Sequence, residues 1–404
     1  MGNQSTEPQK SFRRTLLLPT LFLCVFLAFS VTWFLGTLLI NVSASFNVPI
    51  GTASQLVTIG YVTGLIMGFA MSAFAIRFKH KSLFVFGVAL FAVAVLIWFF
   101  APNFATAILA QVLVGASFST ISIMAYTLIG EQLPLERRGW ATGLVAAAIM
   151  TSSLVLGVVS GVIASVAGWR MVPLGFIFPI SIVCLFLALL VVPSKQPQPR
   201  SEAKPSFVQA LKKILTRVSP IACTVSAAMV SFSMVFPIFA VSFLRITFSL
   251  SPTYAGLCMT MAAALGIVGG VVGGRAVNRI GRKPLTITAV LFVGLSAFLF
   301  TFMPAAAFSI MAWGVNAFAA GVIIASLPSL TLEQVPEYRG SMMSIYSSFD
   351  SAGMITGLII GGLVLNLFAN SFHMLYIIFG LVGVSTAAVV FFFAKDPCRP
   401  GSTP

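Results

Sequence analysis

Apolar residues fall in twelve runs of about 20 or more residues, and short polar stretches separate these runs. A helix of about 20 apolar residues spans the hydrocarbon core of a bilayer, which is about 30 Å thick. The pattern therefore predicts an all-α membrane protein with twelve transmembrane helices. The predicted helices cover residues 15–41, 51–76, 82–101, 105–130, 139–167, 171–193, 218–244, 252–277, 284–304, 306–331, 340–367 and 373–394.

Composition supports this prediction and excludes other classes. The 404 residues are 59% hydrophobic and 8% charged, and the mean hydropathy is +1.06. A soluble domain carries about a quarter charged residues, so we expect a polytopic protein in a lipid bilayer without a soluble domain. The five cysteines and two histidines have no disulfide or metal-ligand spacing, so we expect neither a metal nor a cofactor.

Basic residues predict the orientation in the membrane. With the N-terminus inside, 21 of the 23 Lys and Arg residues lie in the tails or in loops on the inner side. Only Arg170 and Arg245 fall on the outer side. Because inner loops are enriched in Lys and Arg, both termini are predicted in the cytoplasm and the chain in the cell membrane. This distribution also explains the net charge of +15 without nucleic acid.

An internal repeat divides the chain. Arg77–Lys81 matches Arg279–Lys283 at an offset of 202 residues, and Glu131 matches Glu333 at the same offset. We therefore expect two six-helix halves of the same orientation, and parallel halves of this kind enclose a site near the bilayer midplane. The predicted parts are a cytoplasmic tail (1–14), an N-terminal half (15–193), a cytoplasmic linker (194–217), a C-terminal half (218–394) and a second tail (395–404).

A basic stretch from Gly274 to Pro284 lies between two apolar runs. Its pattern resembles the signature loop of the major facilitator superfamily, although Asn278 stands where that family usually has Asp. The matching residues are Gly274, Asn278, Arg279, Gly281, Arg282 and Lys283. Gly157–Gly161 and Gly168–Arg170 resemble the helix 5 signature of efflux members. The resemblance is greatest to the drug:proton antiporter branch, with its bacterial sugar, nucleoside and drug exporters. It implies the major facilitator fold, and we expect a monomer.

Asp350 is the one acid predicted deep inside a span, about ten residues or 15 Å past Gly340. An ionised Asp at the centre of a membrane helix costs about 2.5–3.5 kcal/mol on insertion scales, so its charged form is disfavoured there. Such an acid can load and release a proton, which makes Asp350 a candidate for proton coupling. The alternative is a protonated Asp that bonds a neighbouring Ser or carbonyl for packing.

The resemblance implies that helices 1, 4, 7 and 10 line a substrate cavity. On three of these helices, the candidate cavity residues are Trp33, Gln111, Tyr126, Trp313 and Asn316. Gln111 stands where exporters of this family often carry Arg. For each of these side chains, packing against a neighbouring helix is the alternative to substrate binding.

The resemblance also implies a cytoplasmic gate, in which acids that end helices 4 and 10 pair with the basic signature loops. Glu131 and Glu333 are these acids, and Arg339 is a further candidate base. In the first half, His80 replaces the expected Arg of the loop. We therefore predict that the gate depends more on Glu333, paired with Arg282 or Arg339, than on its first-half equivalent.

No catalytic constellation or nucleotide-binding loop occurs in the sequence, so we expect no enzyme. The predicted function is secondary active transport by alternating access, with proton-coupled efflux of a small solute of the drug, sugar or nucleoside class. The expected partners are that solute and protons. The alternatives are an uncoupled facilitator, a proton symporter for uptake, and a membrane sensor that does not transport.

Overall fold

A computed structural model of the protein describes residues 7–133, 135–193, 216–335, 339–368 and 371–396. The regular secondary structure of these residues is helical, and a π-helical turn at Pro173–Ile177 leads directly into α6. The helices are α1 (Glu7–Phe46), α2 (Ile50–Arg77), α3 (His80–Phe100), α4 (Phe104–Gln132), α5 (Leu135–Ala167), α6 (Phe178–Val191), α7 (Val218–Ser233), α8 (Phe236–Thr247), α9 (Pro252–Ile280), α10 (Arg282–Phe300), α11 (Ala306–Leu332), α12 (Arg339–Leu367) and α13 (Phe372–Phe393).

The predicted all-α membrane fold is confirmed, because the described residues include twelve segments that are long and apolar enough to cross a membrane. The seventh of these segments consists of two helices, α7 and α8, which Met234 and Val235 separate. Pro237 lies in the first turn of α8. A proline has no N–H to donate inside a helix, which explains why the segment breaks just before it.

The basic stretch between the eighth and ninth spans differs from the predicted loop. α9 continues to Ile280 and α10 begins at Arg282, so that Gly281 alone forms the turn. The sequence analysis assigned these residues to a loop because of their charge. Long basic side chains at a helix end can reach the polar headgroup region, so their charge does not require the helix to stop.

The described chain divides into two compact units. The first contains Met1–Asn47 and Leu56–Arg200, and the second contains Val48–Gln55 and Ser201–Pro404. The predicted linker spans the boundary between residues 200 and 201, but its residues 194–215 lie outside the described part of the chain. The same applies to residues 1–6 and 397–404 of the predicted tails.

The second unit includes the first residues of α2, which the sequence analysis placed in the N-terminal half. Gln55 donates from Nε2 to the carbonyl oxygen of Leu358 at 3.3 Å. Asn366 donates from Nδ2 to Oγ1 of Thr52 at 3.2 Å. These side-chain bonds explain why residues 48–55 group with α12.

The first unit has an aromatic cluster near the turn that precedes its π-helical segment. Phe34 lies 6.0 Å from Trp98 and 6.2 Å from Trp169 between ring centroids. The guanidinium of Arg170 lies 4.6 Å from the Trp169 ring and donates to the carbonyl of Ala101 at 3.1 Å. A cation over an indole face stabilises such a cluster, so Arg170 has a structural role here.

Glycines set the contact between one pair of helices in each unit. A Cβ atom on Gly115 of α4 would overlap the carbonyl oxygen of Gly60 on α2. A Cβ atom on Gly321 of α11 would overlap the carbonyl oxygen of Gly266 on α9 in the same way. Both members of the second pair lie 206 residues after their counterparts, which is four residues, or about one helical turn, more than the offset of 202 in the basic stretches. Close packing at glycines thus recurs in both units, one turn further along the helices of the second.

Candidate functional site

Asp350 lies on α12, eleven residues after the first residue of that helix, or about 16 Å along its axis. Its Oδ1 atom accepts a hydrogen bond from the hydroxyl of Ser231 on α7. Both helices belong to the second unit. A hydroxyl that donates to a carboxylate stabilises its charge, so this bond is compatible with proton carriage as well as with packing.

Asp350 borders a buried and an accessible face of α12. On the buried face, a Cβ atom on Gly353 would overlap the backbone of Ala228, so α7 and α12 pack closely. The accessible face has a stripe of side chains that keep some accessible surface, namely Met343, Ser347, Asp350, Ser351 and Met354. Asp350 is thus a partly buried residue whose carboxyl group is bonded to Ser231, next to a close contact between α7 and α12.

Trp313 and Asn316 both lie buried on α11 in the second unit. Asn316 donates from Nδ2 to the carbonyl of Val293 and to Oγ of Ser296, each at 3.1 Å, and both acceptors belong to α10. Trp313 is 1% exposed, and its ring centroid lies 6.3 Å from that of Phe236. These contacts place both side chains between packed helices, and their predicted role in a substrate cavity stays a prediction.

Gln111 is buried on α4 of the first unit. Its Oε1 atom accepts a hydrogen bond of 3.2 Å from the indole Nε1 of Trp98 on α3. A Cβ atom on Gly60 of α2 would lie 2.6 Å from its Nε2 atom, so three helices surround the amide. Gln111 therefore has the contacts of a packing residue, and its predicted role in substrate binding remains untested.

Trp33 and Tyr126 keep accessible surface in the first unit. Trp33 on α1 is half-buried, and its indole Nε1 is buried with no hydrogen-bond partner among the described residues. Tyr126 on α4 is 44% exposed. The indole Nε1 of Trp313 also has no hydrogen-bond partner among the described residues, but Trp313 is buried, so Trp33 is the candidate indole with accessible surface.

The signature stretch of the second unit forms the turn between α9 and α10. Gly281 has a φ of 98°, a backbone conformation that non-glycine residues rarely adopt. Gly274 and Arg279 are exposed on α9, and a Cβ atom on Gly274 would meet open space. The side chain of Asn278 lies outside the described part of the structure.

Basic residues that follow this turn contact the ends of two other helices. Arg282 Nη1 lies 3.8 Å from Oε1 of Glu333, just after α11. Lys283 donates from its backbone N to Oδ2 of Asp396 at 3.2 Å and from Nζ to the carbonyl of Phe391 at 2.8 Å. The predicted pair of Arg282 and Glu333 is therefore present, and the side chain of Arg339 lies outside the described residues.

The first unit has the same arrangement 202 residues earlier. His80 Nδ1 lies 2.7 Å from Oε1 of Glu131, at the positions that correspond to Arg282 and Glu333. Lys81 donates from Nζ to the carbonyl of Leu189 at 2.6 Å, as Lys283 does to Phe391. The first-unit pair is the shorter of the two, and the prediction that the gate depends more on Glu333 stays untested.

Gln334 contacts three segments of the second unit. Its Oε1 atom accepts from the hydroxyl of Ser219 at 2.5 Å, and its Nε2 atom donates to the carbonyl of Lys395 at 2.8 Å. Gln132 occupies the corresponding position in the first unit, and its buried Nε2 atom has no hydrogen-bond partner among the described residues. Among the described residues, this amide nitrogen therefore lacks the link that Gln334 Nε2 makes at the end of α11.

Sequence analysis did not identify Ser231, Asp396 or Gln334 as site residues. Ser231 and Asp396 lie 119 and 113 residues from their partners, and no local pattern joins them. The pair of His80 and Glu131 did have a sequence signal. His80 lies 202 residues before Arg282, and Glu131 lies 202 residues before Glu333, so the internal repeat relates this pair to the predicted pair of the second half.

The described residues form twelve membrane-length segments in two units. In each unit, a residue at the turn after the second span pairs with an acid at the end of a later helix. These features define a polytopic membrane transporter that is built from two repeated halves. The chain belongs to the Major Facilitator Superfamily, whose sequence profile matches residues 21–241 and 221–404. This is a family of membrane transporters rather than enzymes.

Relatives in Bacillus subtilis (strain 168) support this assignment. The uncharacterized MFS-type transporter YceJ is 24% identical over 354 residues, which cover 84% of this chain and 88% of that protein. Multidrug resistance protein 2 is 23% identical over 332 residues, which cover 76% and 82%. The uncharacterized MFS-type transporter YcnB is 27% identical over 191 residues, and the alignment spans 47% of this chain but only 40% of that protein.

A solved structure shows the same fold. The crystal structure of a D-xylose-proton symporter aligns with a TM-score of 0.78 at 18% sequence identity, over 95% of this chain and 98% of that chain. Because the two sequences are only 18% identical, the comparison shows a shared arrangement of helices and not a shared substrate.

Proposed function

We propose that this protein exports a small solute in exchange for protons, by alternating access between its two units. The observation that carries the proposal is the placement of Asp350, an acid deep in a described span that is bonded to Ser231 and partly accessible. The cell membrane, with both termini in the cytoplasm, is the location that the basic loops predict.

The carboxyl group of Asp350 would exchange its proton as access alternates. In its ionised form it accepts a hydrogen bond from the hydroxyl of Ser231, and in its protonated form it can itself donate a hydrogen bond. An ionised Asp at this depth costs about 2.5–3.5 kcal/mol on insertion scales, so the protonated form favours the change of access. One proton that enters on Asp350 would be released inside as a solute leaves.

The direction and the solute class follow from weaker observations. Gly157–Gly161 and Gly168–Arg170 resemble the helix 5 signature of efflux members, and a relative is named Multidrug resistance protein 2. Accessible aromatic surface at Trp33 and Tyr126 suits an apolar or uncharged polar solute. We therefore favour an uncharged drug, sugar or nucleoside, handled by a monomer.

The test uses the full-length chain in proteoliposomes that contain a pH-sensitive dye. Chloramphenicol, uridine and xylose serve as uncharged representatives of the three solute classes. We expect at least one to drive a change of internal pH, and we expect Asp350→Asn to abolish this change while counterflow of the solute continues. Ser351→Ala, on the neighbouring position of the same stripe, is the matched control and should behave like wild type.

Three outcomes would overturn parts of the proposal. A pH response that survives Asp350→Asn at every pH removes Asp350 as the proton carrier. Counterflow without any pH response in wild type indicates an uncoupled facilitator. Binding of a solute without counterflow indicates a sensor instead of a transporter.

A further inference from the structure

His80 is the first residue of α3, and its side chain meets Glu131 in the last turn of α4. The Nδ1 and Oε1 atoms are 2.7 Å apart, which is hydrogen-bond distance. The His80 side chain is only 11% exposed, whereas that of Glu131 is 32% exposed. The imidazole thus links the turn between α2 and α3 to the end of α4, at a place where solvent still reaches the carboxylate.

The second unit provides an internal comparison for this contact. Arg282 and Glu333 occupy the same positions 202 residues later, and they too are paired. The next residue in each unit, Lys81 or Lys283, donates to a carbonyl near the end of the last helix of its unit. The two units therefore share this contact, in which the first unit has an imidazole and the second a guanidinium.

That difference decides whether the contact responds to acidity. A guanidinium stays protonated at every physiological pH, so its pair with Glu333 has a constant charge. An imidazole changes charge between about pH 5 and pH 8. A neutral imidazole can donate from Nδ1 to the carboxylate, and a second proton on Nε2 gives the imidazole a positive charge, so that the hydrogen bond then joins two opposite charges.

The other charged side chains described near His80 are cations, which cannot accept a hydrogen bond from the imidazole. On the neighbouring turn, Arg77 and Lys79 are exposed cations, and Lys81 reaches the carbonyl of Leu189 on α6. α6 has no charged residue, and the part of α1 from residue 16 onward has none either. Glu131 is the acid whose carboxylate pairs with the imidazole at 2.7 Å. The side chains of Glu136, Arg137 and Arg138 in α5 lie outside the described residues.

We propose that His80 is a proton-binding site of this protein, separate from Asp350, and that the proton bound there tightens the link between the α2–α3 turn and the end of α4. The partner of the protonated imidazole is the Glu131 carboxylate. Among the described residues, Gln132 Nε2 has no hydrogen-bond partner, whereas Gln334 Nε2 donates to the carbonyl of Lys395 in the second unit. Within this part of the chain, the His80–Glu131 contact therefore carries a larger share of the link.

The consequence for transport rests on the proposed function. The predicted topology places this end of the first unit in the cytoplasm, so the site would respond to cytoplasmic acidity. A tighter link would favour one state of the gate, and only the first unit would respond, because Arg282 keeps its charge in the second. The protein would then have one proton site for coupling and another for sensing the compartment from which it exports.

The test measures the link itself and does not depend on transport. The full-length protein in lipid nanodiscs is subjected to hydrogen–deuterium exchange at about pH 5 and about pH 8, with rates corrected for the intrinsic effect of pH on exchange. The peptide of interest covers residues 74–84, and residues 276–286 are the matched segment of the second unit. The variants are His80→Arg, His80→Gln and Glu131→Gln, together with the reciprocal Arg282→His.

In wild type we expect exchange of residues 74–84 to be about fivefold slower at the lower pH, because the protonated imidazole adds a positive charge to the donor of the hydrogen bond with the Glu131 carboxylate. His80→Arg, His80→Gln and Glu131→Gln should each abolish this pH dependence, and Arg282→His should create one in residues 276–286. His80→Arg introduces the residue that the second unit already has, so misfolding is not the expected result.

The proposal is overturned if wild-type exchange is the same at both pH values or if His80→Arg keeps the pH dependence. Failure here leaves the Asp350 experiment unaffected, since that experiment measures solute-driven pH change. Conversely, a pH-dependent link in a protein that fails the vesicle experiment would uphold the proton site without the transport function.

Discussion

Ser231 on α7 donates its hydroxyl to the carboxyl group of Asp350 on α12, across 119 residues of sequence. The contact is possible because Gly353 lets the backbones of the two helices approach closely at Ala228. The bond orients the carboxyl group and stabilises its charged form. It makes Ser231 a positioning residue for the proposed proton step.

Replacing Ser231 with Ala removes this donor with little change of shape. Hydrogen bonds to charged groups contribute about 1.5–3 kcal/mol, and each 1.4 kcal/mol corresponds to about a factor of ten. We therefore expect Ser231→Ala to slow proton-coupled transport about tenfold or more, because the ionised state of Asp350 is harder to reach. The rate of solute-driven pH change in proteoliposomes measures this effect.

Two variants serve as controls for this prediction. Ser231→Thr keeps the hydroxyl and should retain most of the wild-type rate. Ser226 lies on the same helix with a buried hydroxyl that has no hydrogen-bond partner among the described residues, so Ser226→Ala should have little effect. A wild-type rate in Ser231→Ala would show that the hydrogen bond does not serve the proton step.

A second prediction concerns the glycine contact between α9 and α11. A Cβ atom on Gly321 would lie 2.7 Å from the backbone nitrogen of Gly270 and 2.9 Å from the carbonyl carbon of Gly266. Backbone atoms cannot yield as a flexible side chain can, so Gly321→Ala must separate the helices. We expect a loss of about 1–3 kcal/mol of stability, seen as a lower thermal unfolding temperature of the purified protein.

Gly274 is the matched control, because it lies on α9 and a Cβ atom there would meet open space. Gly274→Ala should leave the unfolding temperature unchanged or raise it, since Ala favours a helix by about 1 kcal/mol over Gly. If the two substitutions lowered the unfolding temperature equally, the close contact at Gly321 would not be what stabilises the pair of helices.

The hydropathy pattern was sufficient to predict the fold because the requirement for about 20 apolar residues per span leaves a strong signal. The family resemblance also implied the pair of Arg282 and Glu333, whose charged atoms lie 3.8 Å apart. Helix ends were less predictable, since the charges at Arg279 and Arg282 suggested a loop where the structure has two helices and one glycine. Charge reports the side of the membrane, and the backbone conformation at Gly281 decides where the helix ends.

The orientation of the cavity candidates could not be predicted for a different reason. In a membrane helix that is apolar on all sides, spacing does not reveal which face meets another helix. Trp313 and Asn316 were therefore predicted as cavity residues from their aromatic and amide side chains alone, and the structure places both between packed helices. Ser231 was missed because its partner lies in a distant segment, which a single sequence does not indicate.

A third prediction follows from the backbone at Gly281, where φ is 98° and ψ is 154°. This region is essentially restricted to glycine, and a residue with a Cβ atom is strained there by about 1–3 kcal/mol. We expect Gly281→Ala to lower the thermal unfolding temperature and to disturb the placement of Arg282 beside Glu333. Gly130→Ala, in a helix with open space around it, is the control and should be neutral. Equal stability of both variants would show that the turn relaxes to another conformation without cost.

The last prediction tests the pair of Arg282 and Glu333, whose charged atoms lie 3.8 Å apart. The two side chains are 23% and 17% exposed, and pairs at surfaces contribute about 0–1 kcal/mol, so the pair is expected to shift the balance between transport states more than the stability. We expect Arg282→Glu and Glu333→Arg each to reduce transport and the double swap to restore much of it. As a control, Arg279→Glu places the same charge on an exposed position of the neighbouring helix end, and Glu333→Arg should not rescue it. If the double swap were no more active than the single variants, the two residues would act independently, and the second unit would have no charge-paired gate at this position.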